Sequence, residues 1–344
     1  MPTLNDIIKG MNKTAKEDIV TFGLPVYDYK KIPFTSPRMN YCTFGGLPVG
    51  KLIEFYGEEH GGKTTTALDV ISNYQRLENA RKVLYIDAEN TLDVEWAIKL
   101  GVDLSEEKFI CLKPTSQSAE EIFQFILDAM DTGEIGLWVL DSIPSLASAQ
   151  ELSKTMEEKT YAGISAPLTT FARRAEMKMH QHNCTGIGIN QLRDDLGAMY
   201  AGATKTPGGK AWKHFCSVRM QFSKGKYIDE KGNDLNLRAE SPAGNYVMMS
   251  MVKNKCCPPT RRTGFYTLNY EYGIDYLKDL VEVAIKYDIV QKAGAWFSII
   301  DTNSGELIEK VQGLSRVYEY LEDEEHEDTL KMIEDYIDSK IQMN

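Results

Sequence analysis

The chain has 344 residues, 42% of them hydrophobic, and a formal net charge of −11 at pH 7. That length accommodates one large domain and a smaller one, and the acidic total excludes a protein that coats nucleic acid with its whole surface while permitting one local basic groove. No apolar run approaches a membrane span, the N-terminus lacks the charged-then-apolar form of a signal peptide, and six cysteines without C-x-x-C spacing read as reduced thiols of a cytoplasmic protein.

In chain order, Thr3-Leu-Asn-Asp6 has the form of a capping box, with Leu4, Ile7, Ile8 and Met11 on one face of a short helix. A polar, proline-containing connection follows, so residues 1–34 read as a docking helix and linker. The apolar run Leu52–Tyr56 predicts a strand, and Thr64–Ile71 predicts a helix. Between them Gly57-Glu58-Glu59-His60-Gly61-Gly62-Lys63-Thr64 fits the phosphate-binding pattern G-x-x-x-x-G-K-[ST], with Thr65 next in the helix. Glycines let successive backbone N–H groups turn toward an anion, the helix N-terminus adds its positive dipole end, and Lys63 reaches the outer phosphates. The Thr64 hydroxyl and Asp141, the acid that ends the strand Gly136–Asp141, are candidate Mg²⁺ ligands. Further short apolar runs at Lys82–Asp87, Phe109–Leu112 and Thr185–Ile189 alternate with helical stretches at Ala119–Asp131 and Pro167–His182. That alternation predicts an α/β fold, a mostly parallel sheet covered by helices. Phe215–Phe222 and Asn245–Val252 read as an antiparallel extension. From Gly273 the texture turns α-rich and acidic, which divides a core at 35–272 from a C-terminal α+β module at 273–344.

Glu89 lies just past the strand Lys82–Asp87, on the edge where such sheets bind ligands, and a carboxylate there can deprotonate the water that attacks a γ-phosphate. The long, glycine-rich segment from Arg193 to Lys210 predicts a functional loop. Its Gly197, Gly202, Gly208 and Gly209 offer N–H groups to phosphates, Met199 and Tyr200 can stack on bases, and Lys205, Lys210 and Lys213 add charge.

Gly45–Gly57, Tyr85–Asp93, Ala97–Asp103, Gly188–Arg193, Val252–Lys255 and Gly294–Ser298 together resemble the RecA recombinase family, from about residue 35 to at least residue 300. Phage-encoded strand-exchange proteins of the UvsX type share this architecture. The resemblance implies a RecA-like P-loop ATPase core and ATP with Mg²⁺ as cofactors. It implies single-stranded and homologous duplex DNA as partners, helical self-assembly, and single-strand-binding and mediator proteins as further partners. It makes Glu89 the catalytic glutamate, places Asp93 and Trp96 at adenine, and makes Gln191 the γ-phosphate sensor. Lys253 and Lys255 would reach into the neighbouring subunit's ATP site, and Arg174 would join Arg193 and the loop that follows it on DNA. A second DNA-facing loop falls at Ser153–Ser165. Departures from the family pattern are Glu58-Glu59-His60-Gly61 within the phosphate loop, Pro167 and Asp194-Asp195 where basic residues are usual, and His214 at a commonly aromatic position. A ring helicase of related core and an ATP-binding regulator of a recombinase filament remain alternatives, as does a small-molecule kinase.

Overall fold

The computed structural model describes residues 2–15, 30–155, 163–194, 204–230, 232–236 and 238–342. Two compact units result, residues 1–30 and 31–344. The first contains helix α1 (Leu4–Ala15), whose capping box forms as expected: Thr3 N donates to Asp6 Oδ2 at 2.9 Å, and Asp6 N donates to Thr3 Oγ1 at 3.2 Å. The second unit already begins at Lys31, which pairs with Pro48 in a small ladder, so the linker ends four residues before the expected boundary at 34.

The larger unit is built on one ten-stranded sheet. Its parallel part comprises β1 (Leu52–Gly57), β2 (Lys82–Asp87), β3 (Phe109–Leu112), β4 (Ile135–Asp141) and β5 (Thr185–Gln191). β6 (Val218–Ile228) runs parallel to β1, and β7 (Gly244–Asn254), β8 (Thr263–Asn269) and β9 (Gly273–Ile274) continue antiparallel. The spatial order is β9-β8-β7-β6-β1-β5-β4-β2-β3, with residues 234–235 pairing on β6. Two expectations need correction here. The run Phe215–Phe222 is not one strand, because Phe215 closes a helix and the strand starts at Val218. The core also extends past 272, since Gly273 and Ile274 still bond to β8.

Both sheet faces are covered, which explains why the parallel strands read as unbroken apolar runs. Ile53, Phe55, Val83 and Tyr85 join the core shared with α2 (Pro37–Thr43), α3 (Lys63–Gln75) and α4 (Val94–Lys99). Leu52, Leu84 and Trp138 alternate to the other face, under α5 (Ala119–Asp131), α6 (Ser165–His182) and α7 (Gly209–Phe215). The Ser118–Glu121 capping box starts α5, and Ile122, Phe123, Ile126, Leu127 and Met130 form its buried stripe. Each such side chain contributes about 1.5–3 kcal/mol on burial. The alternating glycines of β5 have a steric purpose on this face: a Cβ on Gly186 would lie 2.2 Å from the Trp138 ring, and one on Gly188 would lie 2.5 Å from the Trp212 ring.

The C-terminal module packs α8 (Tyr276–Lys286), β10 (Val290–Ala293), β11 (Trp296–Ile300), β12 (Leu307–Gln312), α9 (Leu314–Glu322) and α10 (Glu327–Gln342) around Val281, Phe297, Val317 and Ile337. It is keyed to the core through α8: Arg38 bridges Glu282 at 3.4 Å, and Asp279 Oδ1 accepts the Thr267 N–H at 3.1 Å. Asp279 is fully buried, its Oδ2 has no hydrogen-bond partner among the described residues, and burial pushes its carboxyl up to about 7. The native state therefore holds a proton that the unfolded chain releases near pH 4, and stability falls as pH rises through 4 to 7. Urea unfolding should show that fall, with Asp279 contributing up to about 4 kcal/mol by linkage, and Asp279→Asn should make it shallower, leaving the share of Asp69 and Asp141, both pushed up to about 6, and should leave the variant more stable than the parent at pH 8. An unchanged slope in the variant would assign the titration elsewhere.

Candidate nucleotide site

Parallel strands deliver their carboxyl ends to one edge of the sheet. β1 and β5 align Gly57 with Gln191, and β2 and β4 align Asp87 with Asp141. A cavity of about 700 Å³ opens there, lined by the phosphate loop from Glu59 to Thr65 and by Glu89, Asp141 and Gln191. Gly57 fits because any Cβ would fall 2.0 Å from the Phe222 carbonyl oxygen. Gly62, at φ +89°, caps α3 and lies against Val247, so the loop turns tightly into the helix N-terminus, the end that favours anions. His60 also takes a left-handed conformation, at φ +56°, a region histidine tolerates better than most residues.

Lys63 is buried, and its Nζ donates to the carbonyl oxygens of Glu58 at 2.6 Å and Gly57 at 3.3 Å. Burial pulls its pKa down, against the attraction of Asp141 and Glu89. Asp141 Oδ2 accepts from Thr64 Oγ1 at 2.7 Å and from the Tyr85 hydroxyl at 2.9 Å. Burial pushes its carboxyl up to about 6, which those two donations oppose. A buried carboxylate beside a hydroxyl, both at the mouth of a phosphate loop, is the hard-oxygen donor set that suits Mg²⁺. Glu89 accepts from the hydroxyls of Ser142 and Ser145, the latter at 3.2 Å, and from Gln191 Nε2 at 3.0 Å. The expected base and the expected sensor are thus hydrogen-bonded to one another.

Other expected residues lie outside this cluster. Asp93 spends its carboxylate capping α4, accepting the Trp96 N–H at 2.9 Å, and the Trp96 indole N–H reaches Thr65 Oγ1 at 3.4 Å beside the cavity. Lys253 and Lys255 are at the far end of β7. Val247 of that strand lines the cavity, and six further residues at 3.3 Å each carry the chain roughly 20 Å away. There Lys253 Nζ donates to the Lys213 and His214 carbonyls at 2.6 and 2.8 Å, and Lys255 Nζ donates to His214 O at 3.3 Å, so both cap the C-terminus of α7. Neither lysine reaches its own phosphate loop.

Of the expected DNA-facing residues, Gly197, Met199, Tyr200 and Gly202 lie outside the described residues, as does 156–162 of the other loop. Arg193 pairs with Lys205 in a short antiparallel ladder, and Arg174 is exposed on α6, bonded to Gln124 at 3.0 Å. The expectation of one loop through to Lys210 needs correction: Gly208 caps α7 and Gly209 begins it, with Lys210 and Lys213 on the helix. Gly208 takes the left-handed φ of +97° that glycine adopts without strain, and a Cβ there would also lie 2.5 Å from the end of the Leu168 side chain.

Several site residues carry no sequence signal. Asp87, 1% exposed, accepts the Thr91 and Leu92 N–H groups and so shapes the turn that presents Glu89. Lys224, Asn245 and Tyr270 close the cavity from strands remote in sequence.

A phosphate loop, a strand-end acid on its hydroxyl partner and a polarised glutamate together define a P-loop ATPase. The family model for the RecA N-terminal domain matches residues 5–275, and that for the RecA C-terminal domain matches residues 278–342. The chain is 35% identical over 280 residues to Protein RecA of Clostridium perfringens, covering 81% of this chain and 73% of that one. It is 35% identical over 284 residues to Protein RecA of Fusobacterium nucleatum, covering 82% and 71%. The chain belongs to the RecA family, and its function is that of a recombinase in DNA recombination and repair.

The loop geometry yields a direct test. Gly62→Ala forces a methyl into Val247 at left-handed φ, a strain of about 1–2 kcal/mol before any clash. Titration with a fluorescent ATP analogue should show affinity reduced at least about tenfold; unchanged affinity would mean the loop can re-form without that turn.

Proposed function

We propose that this recombinase polymerises head-to-tail on single-stranded DNA, pairs it with homologous duplex, and hydrolyses ATP at each subunit interface, acting in the cytoplasm. The observation that carries this reading is the division of the catalytic groups between two edges of one sheet. Phosphate loop, Glu89, Asp141 and Gln191 share one edge, while Lys253 and Lys255 lie roughly 20 Å along β7 from it. Heterologous contacts that do not close give a helical filament, and in one the lysine edge of each subunit can face the next subunit's nucleotide.

In that arrangement the loop N–H groups and Lys63 bind the triphosphate, and Thr64 and Asp141 would hold Mg²⁺, which neutralises charge on the phosphate oxygens when bound. Glu89, oriented by Ser142, Ser145 and Gln191, takes the proton from the attacking water. The neighbour's lysines stabilise the charge that develops in the transition state, the work of an arginine finger supplied in trans. Loss of the γ-phosphate frees Gln191, whose strand leads through Arg193 into the DNA-facing loop, and the grip on DNA relaxes. Arg174, Arg193, Lys205, Lys210 and Lys213 supply backbone contacts; base pairing itself reads the sequence.

ATP turnover should rise on addition of single-stranded DNA, and equal rates with and without it would sink this mechanism. Glu89→Gln should keep ATP binding and filament formation, seen by electron microscopy, while slowing turnover at least about a hundredfold. Lys253→Ala should be as damaging in the assembled state. Mixing those two variants should restore part of the activity at mixed interfaces, and absence of rescue would argue that catalysis is confined to one subunit.

A further inference from the structure

Beneath α7, on the sheet face away from α3, Glu54 of β1 is fully buried and has no part in binding nucleotide. Its Oε2 is ion-paired with Nε of Arg219 on β6, and its Oε1 accepts from Asn190 Nδ2 at 2.8 Å. Asn190 Nδ2 also donates to the Pro207 carbonyl at 3.0 Å, just before α7, and Asn190 Oδ1 accepts the Gln191 backbone N–H at 3.0 Å. On the other side Arg219 stands in register with Lys253 across β6 and β7, while Glu54 stands in register with Arg219. One level of the sheet therefore carries Lys253, Arg219 and the buried Glu54 side by side, and Glu54 reaches Asn190, two residues beyond its own register partner Gly188 on β5, by a side-chain bond. A buried ion pair is an expensive way to fill space, since an apolar pair of like volume packs as well or better.

We propose that Glu54 is a positioning residue that couples the two nucleotide-contacting edges of one subunit, passing engagement of Lys253 by a neighbour's triphosphate through Arg219 and Asn190 to Gln191 and to the DNA-facing loop at Pro207. The inference rests on the trans-acting function proposed above. Its physical basis is charge rearrangement in a medium of low dielectric. Lys253 and Arg219 are like charges on neighbouring strands. When an external phosphate draws Lys253 away, Arg219 loses that repulsion and its pairing with Glu54 readjusts. The carboxylate's other bond is to Asn190, whose remaining contacts are the Gln191 N–H and the Pro207 carbonyl. Lys253 is also tied through the Lys213 and His214 carbonyls to α7, which begins just after Pro207; the Asn190 link differs in reaching the Gln191 N–H as well as the Pro207 carbonyl.

Two variants of the intact chain separate relay from filler. Asn190→Ala removes the link and leaves the ion pair; Glu54→Gln with Arg219→Gln replaces the ion pair by neutral side chains of similar size and leaves no unpaired charge. In each, thermal midpoint and affinity for a fluorescent ATP analogue should hold, whereas stimulation of ATP turnover by single-stranded DNA should fall at least about tenfold, and combining all three substitutions should cost no more than either set alone. Stimulation within about twofold of the parent in both variants, or losses that multiply on combination, would overturn the relay. A fall in stimulation matched by equal falls in midpoint and nucleotide affinity would also overturn it, leaving a structural role only. If one variant does not fold, the other decides. Absence of DNA stimulation in the parent chain would instead remove the trans-acting function on which the relay depends.

Discussion

Everything in this subunit depends on a shared parallel register. Because β1, β5, β4 and β2 run the same way, with Gly57 beside Gln191 and Asp87 beside Asp141, the phosphate loop, Asp141, Glu89 and Gln191 arrive at one edge without any long excursion of the chain. The antiparallel turn from β6 into β7 then has an equally simple result. A strand that begins beside the nucleotide must end at the opposite edge, and Lys253 and Lys255 are where it ends. One reversal of direction gives a subunit two different faces, which is the minimum that a head-to-tail polymer needs.

The electrostatics follow the same division. The nucleotide edge concentrates acids around one buried lysine: Asp141 and Glu89 face Lys63, and burial works against the charged forms of both Lys63 and Asp141. The lysine edge is cationic and satisfied by helix carbonyls rather than by carboxylates.

Much of this was legible in the sequence because the signals are local. Strand limits at Lys82–Asp87 and Phe109–Leu112 and the helix at Ala119–Asp131 coincide with the structure, since apolar runs and a Ser118 cap fix them without help from distant residues. The phosphate loop is equally local. The errors came where tertiary contacts override composition. Gly208 looks like loop flexibility, yet it caps a helix at a left-handed φ of +97°, with the Leu168 side chain close over it. β8 was missed because its partner β7 supplies the order that its own sequence, Thr263–Asn269, does not announce. Glu54 reads as an interruption in an apolar strand, and only Arg219 and Asn190, more than 130 residues away in sequence, give it meaning. Tyr270 and Asn245 reach the cavity by the same long-range folding.

The glycine notch in β5 has a mechanical consequence. Gly188 leaves a gap that the Trp212 ring fills, so α7 is seated on the strand ending in Gln191 by a large, rigid side chain with no slack around it. Helix and strand cannot creep past each other by small increments, because a partly withdrawn indole loses its contacts before it gains new ones. The N-terminal end of α7 and the strand that ends in Gln191 are therefore packed as a single piece, so that neither can be displaced without unseating the indole.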